Sequence, residues 1–248
     1  MSGHSKWHNR VHRKTRQDAK RGALFSKIGR EILIAARQGG PDPVANQRLR
    51  LAIERAREAG VPAENIRRAI ERGAGGGEGT EYEEVTYEGY GPGGAAVLVE
   101  AQTDNRNRTT SEIRHIFTRN GGSLGEAGCV AWMFEKKGIL VIERQGTDLT
   151  EERVLELALE AGAEDMRVEE DAFVLVTAPV DFEAVRQRLQ QAGLRFAMAE
   201  LTMEPRSTVT VEGRDAELLN HLVEQLEDHD DVSAVYTNHV ETNVVAVD

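Results

Sequence analysis

Seven residues, GAGGGEG (73–79), constrain the fold of this 248-residue chain more than any other feature. A stretch so rich in glycine and free of large apolar side chains cannot sit inside one continuous core, so it reads as a linker between independently packed units. The two sides differ in charge. Through Arg72 there are 17 Lys and Arg against 7 Asp and Glu, whereas the remainder holds 14 against 35. The net charge of −11 therefore belongs to a basic head joined to a strongly acidic body.

The head reads as helical. In LFSKIGREILIAARQGG, Leu24, Ile28 and Ile32 recur every four residues and Gly39-Gly40 ends the pattern. Asp42 before Pro43 predicts the cap and first turn of a second helix, with Leu49, Ala52, Ile53 and Ala56 as its buried stripe. A third helix starts at Pro62, with Ile66, Ala69 and Ile70 inward and Arg67, Arg68 and Arg72 outward.

The body alternates strand and helix patterns. EVTYEGYGPGG is a turn-rich entry to an apolar strand near 95–101, followed by a helix near 107–119 and a strand at CVAWMFE (129–135). From GILVIER (138–144) onward the pattern runs strand, helix 150–161, strands 166–169 and 172–177, helix 181–191 and strand 195–203. That is the β-α-β-β-α-β order of a ferredoxin-like unit. The closing TVTVEGRDAELLNHLVEQLEDHDDVSAVYTN supplies strand, helix and strand, which with 95–135 completes a second such set. The predicted fold is α+β and multidomain: an N-terminal three-helix domain followed by two ferredoxin-like α+β domains, one inserted in the other. The predicted boundaries are 1–79, then 80–136 plus 206–248, with 137–205 inserted.

One cysteine, Cys129, excludes an internal disulfide and a thiolate metal cage, and its apolar strand pattern makes it a core residue rather than a nucleophile. No apolar run approaches the roughly 20 residues of a membrane helix. The basic N-terminus lacks both the apolar region of a secretory signal and the amphipathic face of an import helix. A cytoplasmic protein is expected, with no membrane partner.

The first 22 residues, MSGHSKWHNRVHRKTRQDAKRG, carry the clearest chemistry. Lys6, Arg10, Arg13, Lys14, Arg16, Lys20 and Arg21 meet one carboxylate, Asp18. Cations at that density neutralise phosphates and release counterions, while Trp7, His8 and His12 can stack on unpaired bases. Lys27 extends the basic run. Arg106 and Arg108, where a loop enters a helix in TDNRNRTTSEIRHIF, form a second candidate, with capping by Asp104, Asn105 or Asn107 as the structural alternative. A solvated arm without a ligand is the plain alternative for the N-terminus. His4, His8 and His12 share one helical face, but surrounding cations and the lack of a fourth donor speak against zinc, so no metal is expected. GYGPGGAAV fits neither a P-loop nor a dinucleotide fingerprint. EDHDD (227–231) lacks calcium-loop spacing and reads as a solvated turn. No catalytic constellation emerges, and neither a cofactor nor a small-molecule substrate is expected.

GHSKW (3–7), HRK (12–14), QDAKRG (17–22), FSK with RE (25–31), RAIERGAGG (68–76), TYEGYGPGG (86–94), TDNRNRT (103–109), GGSLG (121–125) and FEKKG (134–138) occur in this order. Together they closely resemble the YebC/PmpR family, which includes the mitochondrial translational activator of cytochrome c oxidase. Arg10, Val11 and Ala23 depart from the family pattern and leave the arm basic. The resemblance implies a cytoplasmic protein with a helical domain, two α+β domains and no cofactor. Bacterial members are described as probable transcriptional regulators that bind DNA; others act in translation at the ribosome on difficult nascent sequences such as proline runs. Nucleic acid is the expected partner, either DNA or ribosomal RNA, and a scaffold whose acidic body binds a basic protein is the third option. The sequence does not set the oligomeric state.

Overall fold

The computed structural model of the chain describes residues 21–75, 81–145 and 148–241. Three helices open it: α1 (Arg21–Gly39), α2 (Gln47–Glu58) and α3 (Ala63–Ala74). Ile28, Ile32, Ala35 and Ala36 of α1 close on Leu49, Ala52, Ile53 and Ala56 of α2 and on Ile66 and Ala69 of α3. Each helix thus buries one stripe at the 3.6-residue period, and the arginines flank it. The start of α2 differs from expectation. The Asp42 carboxylate accepts from Val44 N at 2.9 Å in a turn, and Asn46 caps the helix by accepting from Leu49 N at 3.0 Å. The Asn46 amide also donates to Ala35 O and Gly40 O, both at 2.8 Å, which fastens α2 to the end of α1.

The second unit begins with a hairpin of β1 (Glu83–Tyr90) and β2 (Ala96–Thr103), followed by α4 (Arg106–Arg119) and β3 (Ser123–Leu124). After the third unit the chain returns with β8 (Val209–Val211), α7 (Gly213–Asp228), β9 (Val232–Thr237) and β10 (His239–Glu241). The sheet runs β3-β1-β2-β9, with β8 and β10 paired beside it. Val85, Tyr87, Val97 and Val99 on one face pack against Ile113 and Phe117 of α4 and Leu219, Leu222 and Leu226 of α7.

EVTYEGYG is thus a full strand rather than a turn-rich entry. Conversely, residues 129–133 are not a strand: a short 3-10 turn, Ala131–Met133, precedes β4. The reason is the buried Glu88 carboxylate, which collects the backbone N–H groups of Gly128, Val130 and Ala131 and bends the segment around itself.

The third unit comprises β4 (Phe134–Glu143), α5 (Glu151–Ala161), β5 (Asp165–Val168), β6 (Ala172–Thr177), α6 (Phe182–Gln191) and β7 (Met198–Pro205). Its antiparallel order β5-β6-β4-β7 is the ferredoxin-like one. Register pairs Leu140 with Leu175 and Val141 with Met198. Leu140, Ile142, Phe173 and Leu175 form the face covered by α5 and α6. α5 starts where Thr150 accepts from Arg153 N and ends at Gly162, whose φ of 95° is the left-handed stop expected after a helix.

Candidate nucleic-acid interface

Lys6, Trp7, Arg10, His12, Arg13, Lys14, Arg16 and Lys20 lie outside the described residues, as does the side chain of Arg21, which opens α1. Lys27, one and a half turns along α1, is not an open phosphate contact. Its ammonium donates to Glu227 O at 2.6 Å, at the C-terminal end of α7. Burial pushes the Lys27 pKa down, against the upward pull of Asp230, Asp228 and Glu227.

Arg106 and Arg108 separate into two roles. Asn105 caps α4 by accepting from Arg108 N at 3.1 Å, so the capping alternative holds for the backbone. The Arg108 guanidinium donates to Asp104 Oδ1 at 2.9 Å and to Asp231 Oδ2 at 2.8 Å. Arg106 stands exposed at the first position of the same helix. Of the pair, Arg108 is the one tied to Asp231, and Arg106 is exposed at the helix start.

Sequence reasoning missed Asp231 and Arg30. EDHDD is a solvated turn only in part: Asp228 and Asp230 are exposed, but Asp231 is buried at the mouth of β9, and Thr109 Oγ1 donates to its Oδ2 at 2.6 Å. Arg30, from α1, reaches Asp231 Oδ1 at 3.4 Å and donates to Gln102 O and Asp230 O, both at 2.9 Å. Burial pushes the Asp231 carboxyl up; the bonds from Thr109 and Arg108 and the nearby charges of Arg108 and Arg30 outweigh it, so the net shift is downward. One signal was available. Asp231 immediately precedes Val232, the first buried residue of a strand, so its side chain meets the end of a sheet rather than open water.

The same place brings ligand atoms of Glu112, His229 and Asp231 within 4.8 Å. Each is already committed. His229 Nδ1 accepts from Asp231 N at 3.1 Å, which puts the proton on Nε2, 2.9 Å from Glu112 Oε2. With two guanidiniums on Asp231, this donor set suits an internal network better than a divalent cation.

Four of the other described head arginines form ion pairs at the surface. Arg48 pairs with Glu84 of β1, Arg55 with Glu31, and Arg67 and Arg68 with Glu64. Arg37, Arg57 and Arg72 are exposed. Arg186 of α6 bridges to Glu54 of α2 at 2.9 Å. A cleft of about 1030 Å³ opens there among the three units, lined by Leu24, Glu54, Glu100, Arg186 and Glu200.

Two family models cover nearly the whole chain: residues 5–76 match the TACO1/YebC protein N-terminal domain, and residues 82–239 match the TACO1/YebC second and third domain. A "probable transcriptional regulatory protein" of Pelotomaculum thermopropionicum is 57% identical, covering 96% of this chain and 98% of that one. A protein of the same description from Enterococcus faecalis is 55% identical over the same shares. Among solved structures, a conserved hypothetical protein from Aquifex aeolicus superposes with a TM-score of 0.81 at 46% identity, covering 93% of this chain and 95% of that one.

Proposed function

The chain belongs to the TACO1/YebC family, and on that premise we propose that it is a regulator of gene expression that binds nucleic acid through its basic N-terminal arm. The observation that carries this reading is the division of charge. A head with 17 cations and 7 carboxylates through Arg72 is joined to a body with 14 and 35. Arg48, Arg55, Arg67 and Arg68 each face a carboxylate of the protein itself, whereas the first 22 residues carry seven Lys and Arg against one carboxylate, so in this reading the arm carries most of the phosphate contact. The acidic body repels phosphate elsewhere and so orients the encounter. The protein acts in this reading as a cytoplasmic binder rather than an enzyme, with no cofactor.

The relatives' names favour transcription and hence duplex DNA. One structural observation favours a second reading, a translation factor on ribosomal RNA. α3 is the helix that would enter a major groove, yet its Arg67 donates twice to Glu64, at 2.8 and 2.9 Å, and Arg68 also faces Glu64. Little beyond Asn65 remains to read base edges, which suits backbone contact on an irregular RNA better than sequence-specific readout.

The deciding experiment titrates salt against binding to purified ribosomes and to random and genomic duplex DNA in parallel. Retention of particular DNA fragments at physiological salt supports transcription, and tight ribosome binding with salt-labile DNA binding supports translation. Replacing Lys6, Arg13, Lys14 and Lys20 together by alanine should remove most of either binding and lower the salt slope by roughly three. Unchanged binding in that variant would remove the arm from the account.

A further inference from the structure

The loop gathered by Glu88 presents aromatic rings on its outer face. Trp132, in the 3-10 turn before β4, is 65% exposed, and Tyr90, at the end of β1, is 36% exposed. Such exposure is unusual for tryptophan, whose large ring normally lies mostly buried. The polar atoms of both rings turn inward to one acceptor: Tyr90 OH and Trp132 Nε1 each donate to Cys129 O at 3.2 Å. The rings therefore stand side by side with their hydrogen-bonding handles occupied, and what they offer outward is ring surface.

The backbone beneath them is fixed. Cys129 lies between Gly128 and Val130, whose N–H groups both bind the Glu88 carboxylate, and Ala131 N adds a third bond. Val130 and Phe134 are buried against Ala96 and Leu98 of β2. A Cβ at Gly125 would stand 2.6 Å from Cys129 Sγ, so the loop has no slack on that side. Tyr90 is held by its pairing with Ser123 of β3. Rings anchored in this way lose little freedom when a ligand lies on them. Around them Gly121, Ser123, Gly125, Ala127 and Gly128 are exposed and small. The nearby charges are Glu126, whose carbonyl accepts from Cys129 N, and Glu135, which faces Arg206 at 3.8 Å. Charge does not draw a phosphate here, so any affinity must come from the rings. Two rings among small residues fall far short of the roughly 800 Å² per partner that a stable protein interface buries, but they match the size of one or two nucleobases.

We infer that Tyr90 and Trp132 form a stacking platform for an unpaired nucleobase. The inference rests on the nucleic-acid reading above and specifies the kind of strand. A duplex keeps its bases stacked on one another and offers no free face, whereas a single strand can lay a base on an aromatic ring. Stacking of this kind tolerates any base, because every base has a π-face. Phosphate contact and base contact thereby fall on different parts of the chain.

The test measures anisotropy of a fluorescent oligouridylate and of a random-sequence duplex DNA on the full chain across a range of salt. Trp132→Ala should weaken oligouridylate binding by roughly five- to a hundredfold. The salt slope should not change, because no phosphate contact is lost. The loss on duplex DNA should be much smaller. Trp132→Phe keeps a ring and should restore most of the affinity; both replacements fall on an exposed side chain and leave the buried Val130 and Phe134 in place. In the unaltered chain, an oligouridylate carrying 4-thiouridine should photo-cross-link to Trp132 or Tyr90, read by peptide mass spectrometry. A Trp132→Ala chain that binds oligouridylate as the wild type does, or that loses oligouridylate and duplex alike, overturns this inference alone. So does cross-linking confined to other peptides, and so does a wild type that binds only the duplex. A wild type that binds neither probe overturns the nucleic-acid reading as well.

Discussion

At Glu88 a single carboxylate accepts three backbone N–H groups, from Gly128 at 2.6 Å, Val130 at 2.8 Å and Ala131 at 2.7 Å. Burial pushes the Glu88 pKa up, but the three N–H bonds outweigh it and the net shift is downward. A depressed carboxyl pKa contributes stability that is complete above the unfolded-state value and lost as pH falls through the folded one. Glu88→Gln should therefore cost about 2 kcal/mol at neutral pH, since one acceptor is exchanged for an amide that faces N–H donors. The deficit should narrow as pH drops through the carboxylate range, because the wild type then loses the same charge. Urea denaturation of both proteins across that range checks it; a pH-independent gap would mean that charge is not what holds the loop. The same residue explains two misreadings. Glutamates at 83, 84 and 88 interrupt the apolar alternation of β1, so a real strand looks like a turn. CVAWMFE looks like a strand because nothing in its own residues announces a carboxylate 40 positions away that will gather its N–H groups.

Among the elements, the helices were the most legible, because each buries a stripe that its own sequence displays. α1, α2 and α3 carry that stripe in Ile28, Ile32, Leu49, Ile53 and Ile66, and their packing follows from it. Gly73 was not legible. It reads as the first residue of a flexible linker, yet α3 continues through Ala74, and Gly73 is where α3 crosses α1. A Cβ there would stand 2.4 Å from Leu33 O and 2.8 Å from the Ala36 Cβ. Two effects oppose each other in Gly73→Ala. Alanine's helix propensity favours the variant by about 1 kcal/mol, whereas the clash with backbone forces the helices apart. Overpacking of this kind costs about 1–3 kcal/mol, and Leu33 O cannot rotate away, so packing wins. Thermal melting should show a lower midpoint for Gly73→Ala, and an unchanged or raised midpoint would show that the crossing is loose enough to yield.

Over the whole molecule, the division between basic head and acidic body is visible in the sequence, whereas the way the units are joined is not. The joints differ in kind. Head and second unit meet through Arg30, Lys27 and the enclosed Asp231, where charge is bonded to backbone carbonyls and a buried carboxylate. Head and third unit meet across the cleft through Arg186 and Glu54, a pair whose side chains are 16% and 34% exposed. Arg186 has a second partner in Glu183 at 2.9 Å, so losing Glu54 leaves no buried charge unpaired. A partly exposed pair of this sort contributes about 1 kcal/mol or less. Glu54→Gln should accordingly leave the melting midpoint nearly unchanged while letting the head and third unit separate, read as a larger radius of gyration in small-angle scattering. An unchanged radius would mean that other contacts hold the cleft. Glu54→Gln leaves every cation of the basic arm in place, so under the nucleic-acid reading polyanion affinity and salt slope should stay nearly as they are. An affinity that fell in Glu54→Gln would instead make the joint between head and third unit part of the binding surface, and the arm would then not carry the contact alone.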